Sequence, residues 1–329
     1  MQQRQFGNLW PVSALTLGGG GIAQAWGETT REEAIATTRL AVERGITLLD
    51  VAPMYGRGEA ERIVGETFGG HLPKGVRIST KCFVGMIEPD EARTRLETSL
   101  ARSIKTMGVE QVDLFFLHSN ICPDGYVYAR SPELKHRMAV DWSLYTDTIV
   151  PTMERLVEKG MAGAWGITGV GQPDSIQQAL TYERAPSAVQ AIANLMDSPG
   201  DMRRYAEPPV PRDIIALAGK RDIGVMGIRI VQAGALTASF DRDIPSESLD
   251  WADYERAASF RALSEEVGED PARLATRYAL SMDGVDTVVL GVKNRQELED
   301  ALAVEAQGPL DASLIARIDA LGLNTPVAV

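Results

Sequence analysis

Glu43-Arg44-Gly45-Ile46-Thr47-Leu48-Leu49-Asp50 runs from a charged helix end, through a glycine, into a short apolar stretch that stops on a carboxylate. A cation in the last turn followed by glycine is how helices close, because glycine alone takes up the left-handed conformation there without strain. Glu158-Lys159-Gly160 repeats the arrangement ahead of the next apolar run. Each joint therefore reads as a helix handing over directly to a strand.

Working outward, short β-branched or leucine-rich runs alternate with longer helical patterns. The strand candidates are 14–17, 47–50, 76–81, 112–118, 163–168, 188–190, 224–228 and 287–290. Between them lie helical stretches at 31–44, 59–68, 89–107, 146–158, 174–182, 211–220 and 296–304, with apolar positions at helical spacing, as in Leu96, Leu100 and Ile104, each four apart. Eight strands separated by helices is the count that closes a (β/α)8 TIM barrel. Two doubly wound domains would alternate too, but no Pro/Ser-rich linker divides the chain, so residues 1–329 read as a single barrel domain. Three connections exceed the ordinary length, 119–145, 191–210 and 231–254, after the fourth, sixth and seventh strands, and long connections in barrels carry function.

Composition limits the partners. The 329 residues carry 33 Lys and Arg against 45 Asp and Glu, a formal charge of −12. That disfavours nucleic acid and anionic lipid, which are held by clustered cations. The hydrophobic fraction of 44% supplies a large core, and no apolar run approaches the ~20 residues of a membrane span. The apolar stretch from Leu9 to Leu17 is interrupted by Pro11 and followed by Gly18–Gly21, which argues against a secretory leader and for a cytoplasmic protein. Cys82 and Cys122 are too few for a disulfide framework. Flanking two strand ends that matter below, they are expected to make activity sensitive to oxidation.

In a TIM barrel the strand C-termini face the active site. That rule selects Asp50, Lys81 and His118 at the ends of the second, third and fourth strands, with Tyr55 five residues beyond Asp50. Singly, each has a structural reading: a helix cap, a surface lysine, a core histidine, a loop anchor. Together they make a proton-transfer site. A buried ammonium beside a tyrosine favours the phenolate and lowers a pKa that begins near ~10. Asp50 would hold that ammonium, Tyr55 would act as general acid toward a carbonyl oxygen, and His118 would orient the same oxygen. None of the four supplies a hydride, so a reduced cofactor is implied; no metal site is expected.

These residues sit in motifs that resemble the aldo-keto reductases. Gly45 through Gly56 followed by Gly58-Glu59-Ala60-Glu61-Arg62-Ile63-Val64-Gly65-Glu66 is similar to that family's strand-2 block. Ser79-Thr80-Lys81, Asp113 through His118, Gly166-Ile167-Thr168, Val189-Gln190 with Asn194-Leu195, and Gly291 through Leu298 follow in the family's order, so the likeness spans residues 4 to 322. The resemblance implies hydride transfer from a nicotinamide cofactor, NADPH/NADP+ with NADH/NAD+ as the alternative, and an aldehyde, ketone or aldose as substrate. It implies Asp50, Tyr55, Lys81 and His118 as the catalytic set, and Asp50, Thr168, Gln190, Ile228, Gly234, Leu236, Gly291, Lys293 and Glu297 as the cofactor surface. Ile228 stands where the family commonly has a stacking Tyr, and Gly169 where Asn is usual. Lys293 matches the cation that meets a 2′-phosphate, whereas Glu297 is a carboxylate where Arg or Gln is frequent.

Further readings stay open. Gly18–Gly21 and Gly166–Gly171 lack the spacing of a dinucleotide loop and fit close backbone approach better. Trp26 and Trp142, with Tyr55 and His118, are the expected walls of a substrate pocket, with Tyr126, Tyr128 and Tyr145 on the same loop as Trp142. Arg130, Lys135, His136 and Arg137 make that loop cationic, suiting either an anionic substrate or a solvated face. An NAD-dependent aldose or alcohol dehydrogenase, and a slow redox-sensing subunit of the kind found among potassium-channel β subunits, are the alternatives to a carbonyl reductase. Oligomeric state is not legible.

Overall fold

The computed structural model describes residues 1–25 and 27–325. Eight parallel strands close into a barrel in chain order: β1 (Leu15–Gly18), β2 (Leu48–Asp50), β3 (Arg77–Cys82), β4 (Val112–Leu117), β5 (Ala162–Thr168), β6 (Ala188–Ile192), β7 (Gly224–Ile228) and β8 (Thr287–Leu290), which pairs back with β1. All eight expected strands are present. Gly45 and Gly160 carry φ of +93° and +69°, the left-handed backbone that the two joints called for.

Because both faces of a parallel barrel are covered, the strands are apolar almost throughout, and their alternation assigns the faces. Leu49, Ile78, Phe115, Leu117, Val189 and Val225 join the large cluster shared with the helices. Leu48, Leu114, Phe116, Ala188 and Met226 form the other, with Phe6. Counting on by twos, Asp50, Lys81, His118, Thr168, Gln190 and Ile228 share the inward parity. The lower end is plugged by the antiparallel hairpin Gln3–Gln5 with Pro11–Ser13 and by Phe6. A Cβ at Gly224 would lie 2.5 Å from the Phe6 ring. Ligands therefore have the upper rim alone.

The helices expected between the strands are α1 (Arg31–Glu43), α2 (Glu59–Phe68), α3 (Pro89–Met107), α4 (Val150–Glu158), α5 (Pro173–Thr181) and α6 (Pro211–Lys220). The α4 helix begins later than its spacing suggests, after a wider turn at Tyr145–Ile149, since Pro151 has no N–H for a regular bond. Beyond β7 stand α7 (Leu249–Arg256), α8 (Ala258–Val267) and α9 (Pro271–Leu280), then α10 (Arg295–Ala306) and α11 (Ala312–Asp319). The long seventh connection thus ends in α7, not at Tyr254. Within the fourth connection Asn120–Cys122 pairs with Ala139–Asp141. No described helix is long and apolar enough to cross a membrane.

Candidate active site

Strand register sets the site's centre. Asp50 lies opposite Ser79 across β2 and β3, and Lys81 opposite Phe116 across β3 and β4. Lys81 is fully buried, its ammonium donating to Asp50 Oδ2 at 2.7 Å and to the Val51 carbonyl at 3.1 Å. Asp50 also accepts from Ser79 Oγ at 2.5 Å and from Gln190 Nε2 at 2.9 Å. A buried ion pair persists where the remaining lone pairs are hydrogen-bonded, and here Lys81, Ser79 and Gln190 all donate to the one carboxylate. Burial pulls the Lys81 pKa down, but Asp50 and then Tyr55 outweigh it, leaving Lys81 above its ordinary value and charged.

Tyr55 opens a tight turn, Tyr55–Arg57, with Gly56 inside it at φ +58° and Gly58 closing it at +87°. A Cβ at Gly56 would come within 2.7 Å of the Ala23 carbonyl, so glycine lets that turn press against the chain after β1. The Lys81 ammonium lies 4.8 Å from the Tyr55 ring centre. The expectation that Lys81 lowers the phenol pKa needs correction. Burial pushes Tyr55 up, Lys81 opposes it, Asp50 adds to the rise, and the net direction is upward. Tyr55 is accordingly a protonated group at neutral pH.

His118 completes the set. Its ring stacks on Phe83 at 4.2 Å and meets Tyr55 edge-on at 6.0 Å. Burial, then the Lys81 charge, holds it well below its usual pKa, so it is neutral, with one N–H to donate. Phe83, two residues past Lys81, went unnoticed in the sequence because an aromatic there has no motif of its own.

Around the rim the expected cofactor residues fall in order. The Thr168 hydroxyl donates to the Leu117 carbonyl at 3.2 Å, one strand from Gln190. Gly169 is tight: its Cβ would sit 3.0 Å from the Gln190 carbonyl. Ile228 ends β7, and the chain then turns through Arg229, Gln232, Ala233 and Gly234, all at positive φ. Leu236 is fully buried in a separate apolar cluster with Phe260, and its backbone N–H donates to the Val231 carbonyl at 3.2 Å. Gly291 packs against Gly21, whose Cβ would lie 2.4 Å from the Gly291 carbonyl and 2.1 Å from that of Val292. The glycine run is there for close backbone approach.

At the end of β8, the Lys293 ammonium is held by Asp241 and lies 3.3 Å from Glu297. Glu297 accepts the Lys293 backbone N–H at 2.9 Å and packs into the Asn294 cap of α10. This donor set fits a dinucleotide: a polar pair at Thr168 and Gln190, apolar Ile228, the Gly234 loop, and a cation at the far end. Two carboxylates, Asp241 and Glu297, flank that cation.

Trp142 is placed elsewhere than a substrate wall. Its ring neighbours are Tyr145 and Tyr182, in the outer helical layer. Tyr128 and Tyr145 are buried as well, and Tyr126 donates to Glu207 at 2.6 Å, so these aromatics pin the loop. Trp26 lies outside the described residues. Cys82 and Cys122 are buried, and burial pushes both thiols up to about 11. Thiolate being the reactive form, peroxide at neutral pH is expected to leave activity intact. Rapid inactivation that disappears in Cys82→Ser/Cys122→Ser would refute this. Among the described residues no group of three His, Cys, Asp or Glu is arranged to hold a metal.

The sequence model described as the Aldo/keto reductase family matches residues 14–322. The chain belongs to that family. As an aldo/keto reductase it is an NAD(P)H-dependent oxidoreductase, and the barrel with Asp50, Lys81 and His118 on its rim agrees. It is 22% identical over 316 residues to a probable voltage-gated potassium channel subunit beta of Oryza sativa subsp. japonica, covering 90% of this chain and 89% of that protein. It is also 22% identical over 328 residues to L-galactose dehydrogenase of Arabidopsis thaliana, covering 98% and 94%. In fold this aldo/keto reductase is similar to the crystal structure of an aldo-keto reductase from Klebsiella pneumoniae in complex with NADPH, at TM-score 0.69 and 19% identity, covering 99% and 97% of the two chains.

Proposed function

We propose that this protein reduces the carbonyl of a small aldehyde, ketone or aldose to the alcohol, with Tyr55 as the general acid. The observation that carries the reading is a protonated Tyr55 set between the Lys81 ammonium and a neutral His118 on one rim. A bound nicotinamide supplies the hydride. Thr168 and Gln190 would hold its carboxamide, Ile228 its ring face, and the Gly234 loop its phosphates. His118, neutral, donates a hydrogen bond to the substrate oxygen and fixes where it sits. Tyr55 then gives its phenolic proton to that oxygen as negative charge develops, and Lys81, kept charged by Asp50, stabilises the phenolate left behind. Phe83 holds the imidazole plane and keeps water off one side of it.

A second reading rests on Lys293. With Asp241 and Glu297 beside it, an NAD-dependent dehydrogenase working in the oxidative direction is also supported, and L-galactose dehydrogenase is a relative of that description. Glu297→Gln is expected to raise kcat/KM for NADPH relative to NADH by up to about fivefold, ~1 kcal/mol, the scale for a partly exposed charge. An unchanged ratio would remove Glu297 from cofactor choice. We place the protein in the cytoplasm, with small-molecule partners only. Oxidation of NADPH and NADH against a panel of aldehydes, ketones and aldoses tests the whole reading. Tight cofactor binding without turnover on any member would favour a redox-sensing subunit instead.

A further inference from the structure

Past Ile228, at the end of β7, the backbone takes a costly course. Arg229, Gln232 and Ala233 carry φ of +56°, +47° and +51°, and left-handed backbone at residues other than glycine costs free energy. Such conformations persist only where the surroundings hold them. The segment leads into Gly234, in the loop that the aldo/keto reductase motifs set against the cofactor's phosphates.

What holds this loop lies behind it, in buried side chains. Arg229 Nε donates to Gln232 Oε1 at 2.9 Å, tying the first strained residue to the second. Its Nη2 pairs with Asp250 on α7, and the two side chains are 8% and 10% exposed. Gln232, fully buried, donates from its amide to Asp253 Oδ2, one turn along α7, at 2.7 Å and to Ser198 Oγ at 3.1 Å. From the chain after β6, the fully buried Asn194 amide donates to Gln232 Oε1 at 3.2 Å and to the Arg229 carbonyl at 3.1 Å. Gly200 lets that chain press in: a Cβ there would collide with the Asp250 carboxylate and lie 2.6 Å from both Arg229 Nη2 and Gln232 Nε2. The loop after β7 is thereby fastened both to α7 and to the chain after β6.

A cation beside a phosphate-binding loop invites the reading that it meets the phosphate itself. Here the guanidinium is engaged by Asp250 and Gln232, and a charge already neutralised by a carboxylate draws an anion little. Its bonds run to the loop's own support.

We infer that Arg229, Gln232 and Asp250 are positioning residues for the nicotinamide dinucleotide, which fix the loop after β7 in its phosphate-receiving shape before the cofactor arrives and do not touch it. The inference rests on the proposed placing of the cofactor phosphates at the Gly234 loop. Where only a fraction of molecules holds the competent shape, the apparent affinity falls by that fraction, so loosening the support weakens binding without removing a contact.

The test is the dissociation constant of NADPH and of NADH, read from nucleotide fluorescence with no substrate present. Gln232→Ala and Asp250→Ala are each expected to weaken both cofactors about tenfold. Asp250→Ala separates the two roles for Arg229 by sign: a phosphate-binding guanidinium released from its carboxylate would tighten NADPH, whereas a loop that has lost its anchor binds it more weakly. Gln232→Ala changes no charge and so carries the same test without stranding the guanidinium. Adding Ala233→Gly to either variant is expected to recover affinity several-fold, because glycine adopts the left-handed backbone without strain; damage to the fold at large would not be repaired there. Gly234→Val, a side chain at φ +101° and 2.9 Å from the Phe240 ring, checks the placing of the phosphates. If Gly234→Val weakens binding while Gln232→Ala and Asp250→Ala leave it unchanged, the inference alone is overturned. Tighter NADPH binding in Asp250→Ala overturns it in favour of a direct phosphate contact, and losses that Ala233→Gly does not relieve overturn it in favour of a role in the fold alone. Unchanged binding in Gly234→Val takes the phosphates away from this loop, and the inference falls with that placing.

Discussion

Tyr55→Phe is expected to lower kcat/KM for carbonyl reduction by about 10²–10⁴-fold, the range for loss of a positioned general acid, while the cofactor still binds. The hydroxyl gives the proton, and the ring's packing against His118 and the Lys81 ammonium is kept by Phe. The same argument sets the pH dependence. Burial holds the Tyr55 pKa above its ordinary value, and a free phenol already titrates only near ~10. The acid form therefore persists through neutral pH, and reduction is expected to be level there and to fall only in the alkaline range as Tyr55 loses its proton. Oxidation, which needs the phenolate, would rise with pH over the same interval. His118 does not intrude, because its pKa is displaced downward and it is neutral throughout. Steady-state rates in both directions across pH check this. A reductive rate that declines from neutral pH upward would mean that Lys81 outweighs burial, and near-wild-type turnover in Tyr55→Phe would remove the hydroxyl from the chemistry altogether.

What was legible in the chain depended on distance along it. The strands could be read because glycine punctuation and β-branched runs act locally, and the parallel order of the barrel then carried Asp50, Lys81 and His118 to one rim. The connection read at 231–254 takes in most of α7 as loop, although Ser248 caps that helix through the Trp251 N–H at 2.9 Å; a lone Ser in a polar stretch is a weak signal. No helix is read from the sequence at α8 or α9, although Asp270 caps α9 and Pro271 follows at its first turn. Contacts between distant segments left no trace. Asp241 finds Lys293 52 residues on, and Arg204 meets Ala129 across two intervening strands. The direction of the Tyr55 pKa was misjudged for a related reason: sequence shows which charge is near but not how much water burial removes, and here desolvation is the larger effect.

That balance between desolvation and pairing gives Lys81→Met the largest expected effect on stability. Side chains of Lys81 and Asp50 are 0% and 3% exposed, and removing one partner of a buried pair typically costs about 3–5 kcal/mol because the other charge is stranded. For a chain this long the melting temperature should fall on the order of 5–10 °C. Asp50→Asn/Lys81→Met is expected to recover much of that loss. Neither charge remains, the oxygen of the introduced amide can still accept from Ser79, and the Gln190 amide can rotate to present its own oxygen to the introduced nitrogen. If the double variant is no more stable than Lys81→Met, the cost lies in lost packing and not in the stranded carboxylate. Turnover separates from stability in this pair. The double variant refolds the site without its cation, so nothing stabilises the Tyr55 phenolate as the proton leaves, and carbonyl reduction is expected to stay as low as in Lys81→Met. A double variant that regained activity along with stability would show that Lys81 serves the fold alone.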